Sequence, residues 1–168
     1  MNRTEPQNRI HLNVVLVEPE IPPNTGNIAR LCAATSSTLH LVHPLGFRTD
    51  DKSLKRAGLD YWPHVTVIHH ESLDAFLEKF QHENLILFST RGKRPYTEAP
   101  YMNEAFLLFG KETAGLPQWL IDERHFSTFR IPMWGKTRSL NLSTAAGIVV
   151  YEGYRRLTRD FRCPIFSS

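Results

Sequence analysis

The chain is predicted to fold as an α/β domain with a mostly parallel sheet of about six strands and helices on both faces. Apolar runs of strand length alternate along it with amphipathic segments of helix length. The runs, such as residues 12–17 (LNVVLV) and 105–109 (AFLLF), are apolar almost without interruption, as strands buried on both faces are. The glycine-, asparagine- and proline-bearing loops follow strands, which is where open α/β sheets hold their ligands.

Length and composition bound the rest. The 168 residues suit one domain, taken as residues 11–160. A polar extension over 1–10, expected to be mobile, precedes it, and a tail over 161–168 follows. A chain of this size buries roughly 70% of the surface its unfolded form exposes, enough for a real core. No apolar run approaches the roughly 20 residues of a membrane span. The opening MNRTEPQNRI has no signal-peptide stretch, so the chain reads as cytoplasmic. Cys32 and Cys163 are too few for a disulfide framework. Of eight histidines only His69 and His70 adjoin, and neighbours on a strand point to opposite faces, which disfavours a shared metal. A net charge of +3 and a pI near 9.0 are compatible with a nucleic-acid partner without establishing one.

In chain order, the first strand (12–17) ends in a loop stiffened by Pro19, Pro22 and Pro23. Asn24, Thr25 and Asn27 are possible caps for a helix over about 28–35, with Ile28, Leu31, Cys32 and Thr35 on its apolar side. Arg30 falls on the other side and reads either as a solvated helix arginine or as a site residue beside the rigid loop. The second strand is 38–43 (TLHLVH). A short basic helix with Arg48, Lys52, Lys55 and Arg56 follows, either a solvated face or a phosphate contact. Tyr61 and Trp62 supply aromatic surface nearby, for a core or for stacking RNA bases. The third strand is 65–69 (VTVIH). An amphipathic helix over 71–80 turns Leu73, Phe76, Leu77 and Phe80 inward. The fourth strand is 84–89 (NLILFS), and its loop carries Arg91, Lys93 and Arg94 around Gly92. The fifth, 105–109, runs into GKETAGLP at 110–117, with a helix starting near Pro117. The sixth, 129–133, breaks at Trp134-Gly135 into a polar loop. The last helix follows, its entry marked by Asn141, Ser143 and Thr144 and its buried face by Ala146, Val149, Val150, Gly153, Tyr154 and Leu157.

Several chemistries are excluded. The glycines at 110 and 115 have phosphate-loop spacing, but Leu116-Pro117 stands where Lys-Ser/Thr is required. There is no G-x-G-x-x-G after the first strand, no G-x-S-x-G nucleophile elbow and no metal-ligand spacing. What remains is three loops bearing glycine, asparagine and serine, with a few arginines and one glutamate. That inventory suits a nucleoside-like ligand held by backbone groups, with positioning as the catalytic device.

Three segments together carry a resemblance. They are 22–33 (PPNTGNIARLCA), 108–117 (LFGKETAGLP), and 131–133 (IPM) continuing to 139–143 (SLNLS). With 55–62 (KRAGLDYW) they make the chain resemble the SPOUT superfamily of RNA methyltransferases, most closely its small TrmL (YibK-like) members, over about residues 12–157. The resemblance implies a C-terminal deep trefoil knot and S-adenosylmethionine (product S-adenosylhomocysteine) as cofactor, with no metal. It implies methylation of the ribose 2′-OH of the tRNA wobble nucleotide, position 34, a cytidine or modified uridine. It also implies a homodimer, with the first-motif and C-terminal helices at the interface and no membrane. Another tRNA or rRNA position, or an RNA- or nucleoside-binding module without turnover, are the alternative readings.

Carried over by position, the resemblance puts Phe88, Gly110, Ile131 and Ser139 in the cofactor pocket, with Thr90, Glu112, Gly115, Met133 and Leu140 beside them. Arg30 is placed at the reacting ribose, supported by Asn24, Ser143 and Asn141. A guanidinium is a poor base, so Arg30 is either the family's proposed base or a cation that stabilises the developing alkoxide and grips a phosphate. Arg48, Lys55, Arg56, Arg91, Lys93, Arg94 and Arg138 are candidate contacts to tRNA phosphates.

Overall fold

Every pair of neighbouring strands in the sheet runs parallel. In this computed structural model, which describes residues 10–48 and 59–158, seven strands form one sheet. They are β1 (Asn13–Val17), β2 (Thr38–Val42), β3 (Val67–His70), β4 (Leu85–Phe88), β5 (Arg94–Pro95), β6 (Phe106–Phe109) and β7 (Thr128–Arg130), in the order β3-β2-β1-β6-β4-β7-β5. The six expected strands are present, each with at least one end shifted by one to three residues. β5 is the addition: two residues are too short to show in a hydrophobic pattern, and its proline is tolerated because the strand lies at the sheet edge. β7 stops at Arg130 rather than 133, since the chain turns away at Ile131-Pro132 and proline has no N–H for a ladder.

The helices are α1 (Pro22–Thr35), α2 (Leu73–Lys79), α3 (Gln118–Glu123) and α4 (Leu142–Leu157). They cover both faces. Val14, Leu16, Leu39, Leu41, Leu107 and Phe109 point to the side that buries Ile28, Ala29 and Cys32 of α1 and Ala146, Val149 and Val150 of α4. Val15, Val17, Val42, Leu87 and Leu108 point to the side of Phe76, Leu120 and Ile121. This alternation is the two-residue period of a strand, and it explains the unbroken apolar runs. Trp62 packs half-buried against the α1 side, so it is core surface rather than an open platform.

α1 begins six residues earlier than the sequence suggests. Pro22 and Pro23 occupy its first turn, where a fixed φ and a missing N–H cost nothing. Asn24, Thr25 and Asn27 are therefore helical residues, not caps, and Ile21 at the N-cap offers no side-chain bond. Arg30 is on the exposed side, as expected. At α4 the expected cap is present: the Asn141 side chain accepts from the N–H groups of Ser143 and Thr144. Lys52, Lys55 and Arg56, the side chain of Tyr61, residues 1–9 and the tail over 161–168 lie outside what is described.

The two adjacent histidines do point apart. His69 Nδ1 meets His43 Nε2 at 2.9 Å on one side, and His70 Nε2 meets His40 Nδ1 at 2.9 Å on the other. His40 Nε2 lies 3.2 Å from Asn13 Oδ1, while Asn13 Nδ2 donates to the Glu104 carbonyl. Neutral His40 satisfies this chain by donating from Nε2 and accepting at Nδ1. Phe76, Phe80 and Phe106 surround the pair. Burial, with His70, Lys79 and His11 nearby, pushes the His40 pKa down to about 3, and burial lowers that of His70 as well. The unfolded chain protonates both rings near their ordinary value of 6.5, so each contributes its full stability above that pH and loses it as pH falls, and for His40 the loss runs on toward 3. Unfolding free energies from urea titrations at pH 7, 6, 5 and 4 should fall as the pH falls, by up to about 1.4 kcal/mol per unit for His40. His40→Gln should flatten that slope by about one proton, and an unaltered slope would contradict the assignment.

Candidate functional site

Four loops leave the C-terminal ends of β1, β4, β6 and β7 and enclose a cleft of 490 Å³. β1 supplies Ile21 and the start of α1; β4 supplies Phe88 through Arg91; β6 supplies Phe109 through Gly115; β7 supplies Ile131, Met133 and residues 138–142. They are the loops after the first, fourth, fifth and sixth of the strands expected from the sequence. The volume suits a nucleoside-sized ligand. Phe88, Phe109, Ile131, Leu140 and Leu142 give apolar walls, and Phe88 stacks on Phe109 with ring centroids 5.3 Å apart.

The β6 loop turns tightly. Gly115 N–H donates to the Lys111 carbonyl at 2.8 Å, and Gly115 takes a positive φ of 70°. Gly110 packs so closely on the far side of this turn that an added Cβ would lie 2.0 Å from the Gly115 carbonyl carbon. The loop thus presents main chain to the cleft.

Hydrogen bonds tie the three sequence motifs into one frame. The Glu112 carboxylate accepts from Glu20 N–H (2.8 Å), Ile21 N–H (3.1 Å) and Asn24 Nδ2 (3.0 Å). It thereby serves the α1 entrance, which lacks a cap of its own. Asn24 Oδ1 accepts from Asn141 Nδ2 at 2.9 Å, and Asn141 Oδ1 accepts from the N–H and hydroxyl of Ser143. In return, Glu20 accepts from the Thr113 N–H and hydroxyl, which hold its carboxyl below the usual range. Lys111 Nζ donates to Glu18 at 2.7 Å, and that bond raises the lysine pKa. Glu18 and Glu20 were missed as site residues in the sequence. Their only local signal is two carboxylates flanking Pro19, and their partners lie more than ninety positions away.

Among the expected cofactor residues, Phe88, Thr90, Gly110, Glu112, Gly115, Ile131, Met133, Ser139 and Leu140 all line the cleft. Asn24, Arg91, Arg138 and Asn141 do too, although Arg91 is also held by Gln118 at 2.8 Å. Ser143 stands behind the wall with its hydroxyl committed to Asn141. Arg30 and Arg48 are exposed and are not part of this lining. Ile21, Ser89, Phe109, Lys111, Thr113, Ala114, Leu142 and Ala145 line it without having been singled out.

Known proteins resemble this chain in sequence and fold. The model of the SpoU rRNA Methylase family matches residues 11–151. The tRNA (cytidine(34)-2'-O)-methyltransferase of Escherichia coli (strain K12) is 48% identical over 147 residues, which cover 87% of this chain and 94% of that protein. A solved structure concerned with the 2-OH methylation of C/U34 on tRNA superposes with a TM-score of 0.84 at 47% identity, covering 89% of this chain and 97% of that one. An AdoMet-bound rRNA methyltransferase from Sinorhizobium meliloti superposes with a TM-score of 0.77 at 27% identity, covering 88% of this chain and 57% of that longer one.

Proposed function

The chain belongs to the SpoU rRNA methylase family, and from that premise we propose that it methylates the ribose 2′-OH of the wobble nucleotide of tRNA, position 34, a cytidine or modified uridine. The observation that carries this reading is the convergence of all three motif loops on one nucleoside-sized cleft. S-adenosylmethionine, when bound there, supplies an electrophilic methyl group. Phe88, Ile131 and Leu140 would pack against the nucleoside, and main-chain groups of 110–115 and 138–141 would read its polar edges. Glu112 and Asn24 act as positioning residues, since their side chains are spent on joining the loops. Methyl transfer to the 2′-oxygen would turn the sulfonium into a neutral thioether and release the hydroxyl proton to solvent water. The leaving thioether is neutral, so this chemistry calls for no metal.

Arg30 stabilises the developing negative charge on that oxygen. It lies six residues along α1 from Asn24, about 9 Å of helix, and outside its own cleft. We therefore take the working unit to be a homodimer in which Arg30 serves the partner's cleft. Exposed Tyr151 on α4, whose opposite face is already buried, supports a helix shared between copies. The family's trefoil knot is retained as part of this reading, supported by the 131–141 segment meeting the start of α1 through Asn141 and Asn24. No helix of the described residues is long and apolar enough to cross a membrane, consistent with work on tRNA in the cytoplasm.

The test is incubation with methyl-labelled S-adenosylmethionine and bulk tRNA lacking wobble ribose methylation, followed by digestion and mapping. Label on the ribose at position 34 is expected. Label elsewhere would move the target, and bound cofactor with no label would make this a binding module.

A further inference from the structure

Trp134 is the most exposed large apolar side chain among the described residues, at 94%. Leaving an indole in water forgoes the stabilisation that its burial would give, and here the cost falls beside the cleft. Met133, next to it in the chain, lines the cleft, as do Arg138, Ser139, Leu140 and Asn141 further along the same loop. The surroundings are one-signed: residues 130–141 contain Arg130, Lys136 and Arg138 and no carboxylate, and all three cations are exposed. An exposed indole flanked by cations fits an unpaired base with its phosphates, because stacking needs a bare π-face and the backbone needs positive charge.

We propose that Trp134 is a stacking platform for an unpaired nucleobase of the RNA substrate, the target base or its immediate neighbour, with Lys136 and Arg138 on the adjoining phosphates. This rests on the RNA methyltransferase reading of the cleft. Trp134 holds the single-stranded segment so that the ribose faces the cofactor, and it takes no part in the chemistry. Single-stranded RNA is favoured over duplex because a duplex hides its base faces within the stack.

The experiment compares wild type with Trp134→Ala, Trp134→Phe and Trp134→Leu, using an anticodon stem-loop RNA with cytidine at position 34. Wild-type turnover comes first; without it the parent reading fails, independently of this one. Given turnover, Trp134→Ala should raise the KM for RNA about tenfold while the calorimetric Kd for S-adenosylmethionine stays within twofold. Trp134→Phe should recover most of the loss. Trp134→Leu, which keeps apolar bulk without a π-face, should not. RNA should also quench tryptophan emission in wild type and much less in Trp134→Phe, where Trp62 and Trp119 remain. An unchanged KM for RNA overturns the proposal. So does full recovery by leucine, weaker cofactor binding, which would make Trp134 a cover for the cofactor, or a shift from dimer to monomer on sizing, which would make it an interface residue.

Discussion

Alanine at position 110 should lower the affinity for S-adenosylmethionine by about a hundredfold or more, close to 3 kcal/mol. A Cβ there would lie 2.0 Å from the Gly115 carbonyl carbon and 2.1 Å from the Leu116 nitrogen. Both are main-chain atoms, and no side chain can swing aside to make room. The turn would have to open, breaking the Gly115 to Lys111 hydrogen bond and displacing the residues that floor the cleft. The obstacle is the loop's own backbone, so the loss is expected even for a ligand that never approaches Gly110. Gly135→Ala is the matched control: nothing lies within 4 Å of its would-be Cβ, and its backbone takes no left-handed φ. There alanine should be neutral or stabilising by up to about 1 kcal/mol. Calorimetric titration and thermal melts of both variants decide the matter, and equal cofactor affinity in the two would refute this account of the turn.

Arg30→Ala should reduce methyl transfer about 10²- to 10³-fold, the usual loss on removing a group that stabilises transition-state charge. Cofactor affinity should hardly change, because Arg30 lines no part of its own cleft and in the proposed dimer faces the ribose oxygen rather than the cofactor. The same placement permits a sharper test. If Arg30 serves the partner's cleft, a mixed dimer of one Arg30→Ala chain and one Gly110→Ala chain contains one complete site, an intact cleft faced by an intact arginine. Co-expression of the two inactive variants under separate tags should restore a substantial part of wild-type turnover. If Arg30 served its own cleft, every site in the mixed dimer would be defective. Persistent inactivity of a purified mixed dimer would therefore overturn the shared-site arrangement.

Much of the fold was legible because its signals are local. Unbroken apolar runs such as 12–17 announce a two-sided parallel sheet, and the cap at Asn141 is written beside the helix it starts. The cleft was legible as a set of loops, since parallel strands deliver their loops to a common end. What escaped the sequence depends on distant partners. The start of α1 looked like a run of caps because Asn24 and Thr25 are good cap residues, yet a carboxylate from residue 112 satisfies that helix end. Glu18 and Glu20 resemble ordinary loop acids until the β6 loop is set against them. β5 exists only because β7 offers an edge. The resemblance supplied residue identities at the cleft and implied that Arg30 acts beside the partner's cofactor, and the packing adds that Arg30 is not among the residues lining its own cleft.

The place of β1 inside the sheet, between two parallel neighbours, has a consequence for synthesis. Its neighbours are β2 and β6. The first follows promptly, but β6 begins at residue 106 whereas β1 ends at residue 17. At ordinary rates of elongation the ribosome needs on the order of five to twenty seconds to supply the intervening residues. Through that interval one edge of this fully buried, largely apolar strand has no native partner, and an open apolar edge is a template for association with other chains. The nascent protein is therefore most vulnerable to aggregation midway through translation, before half its sheet exists.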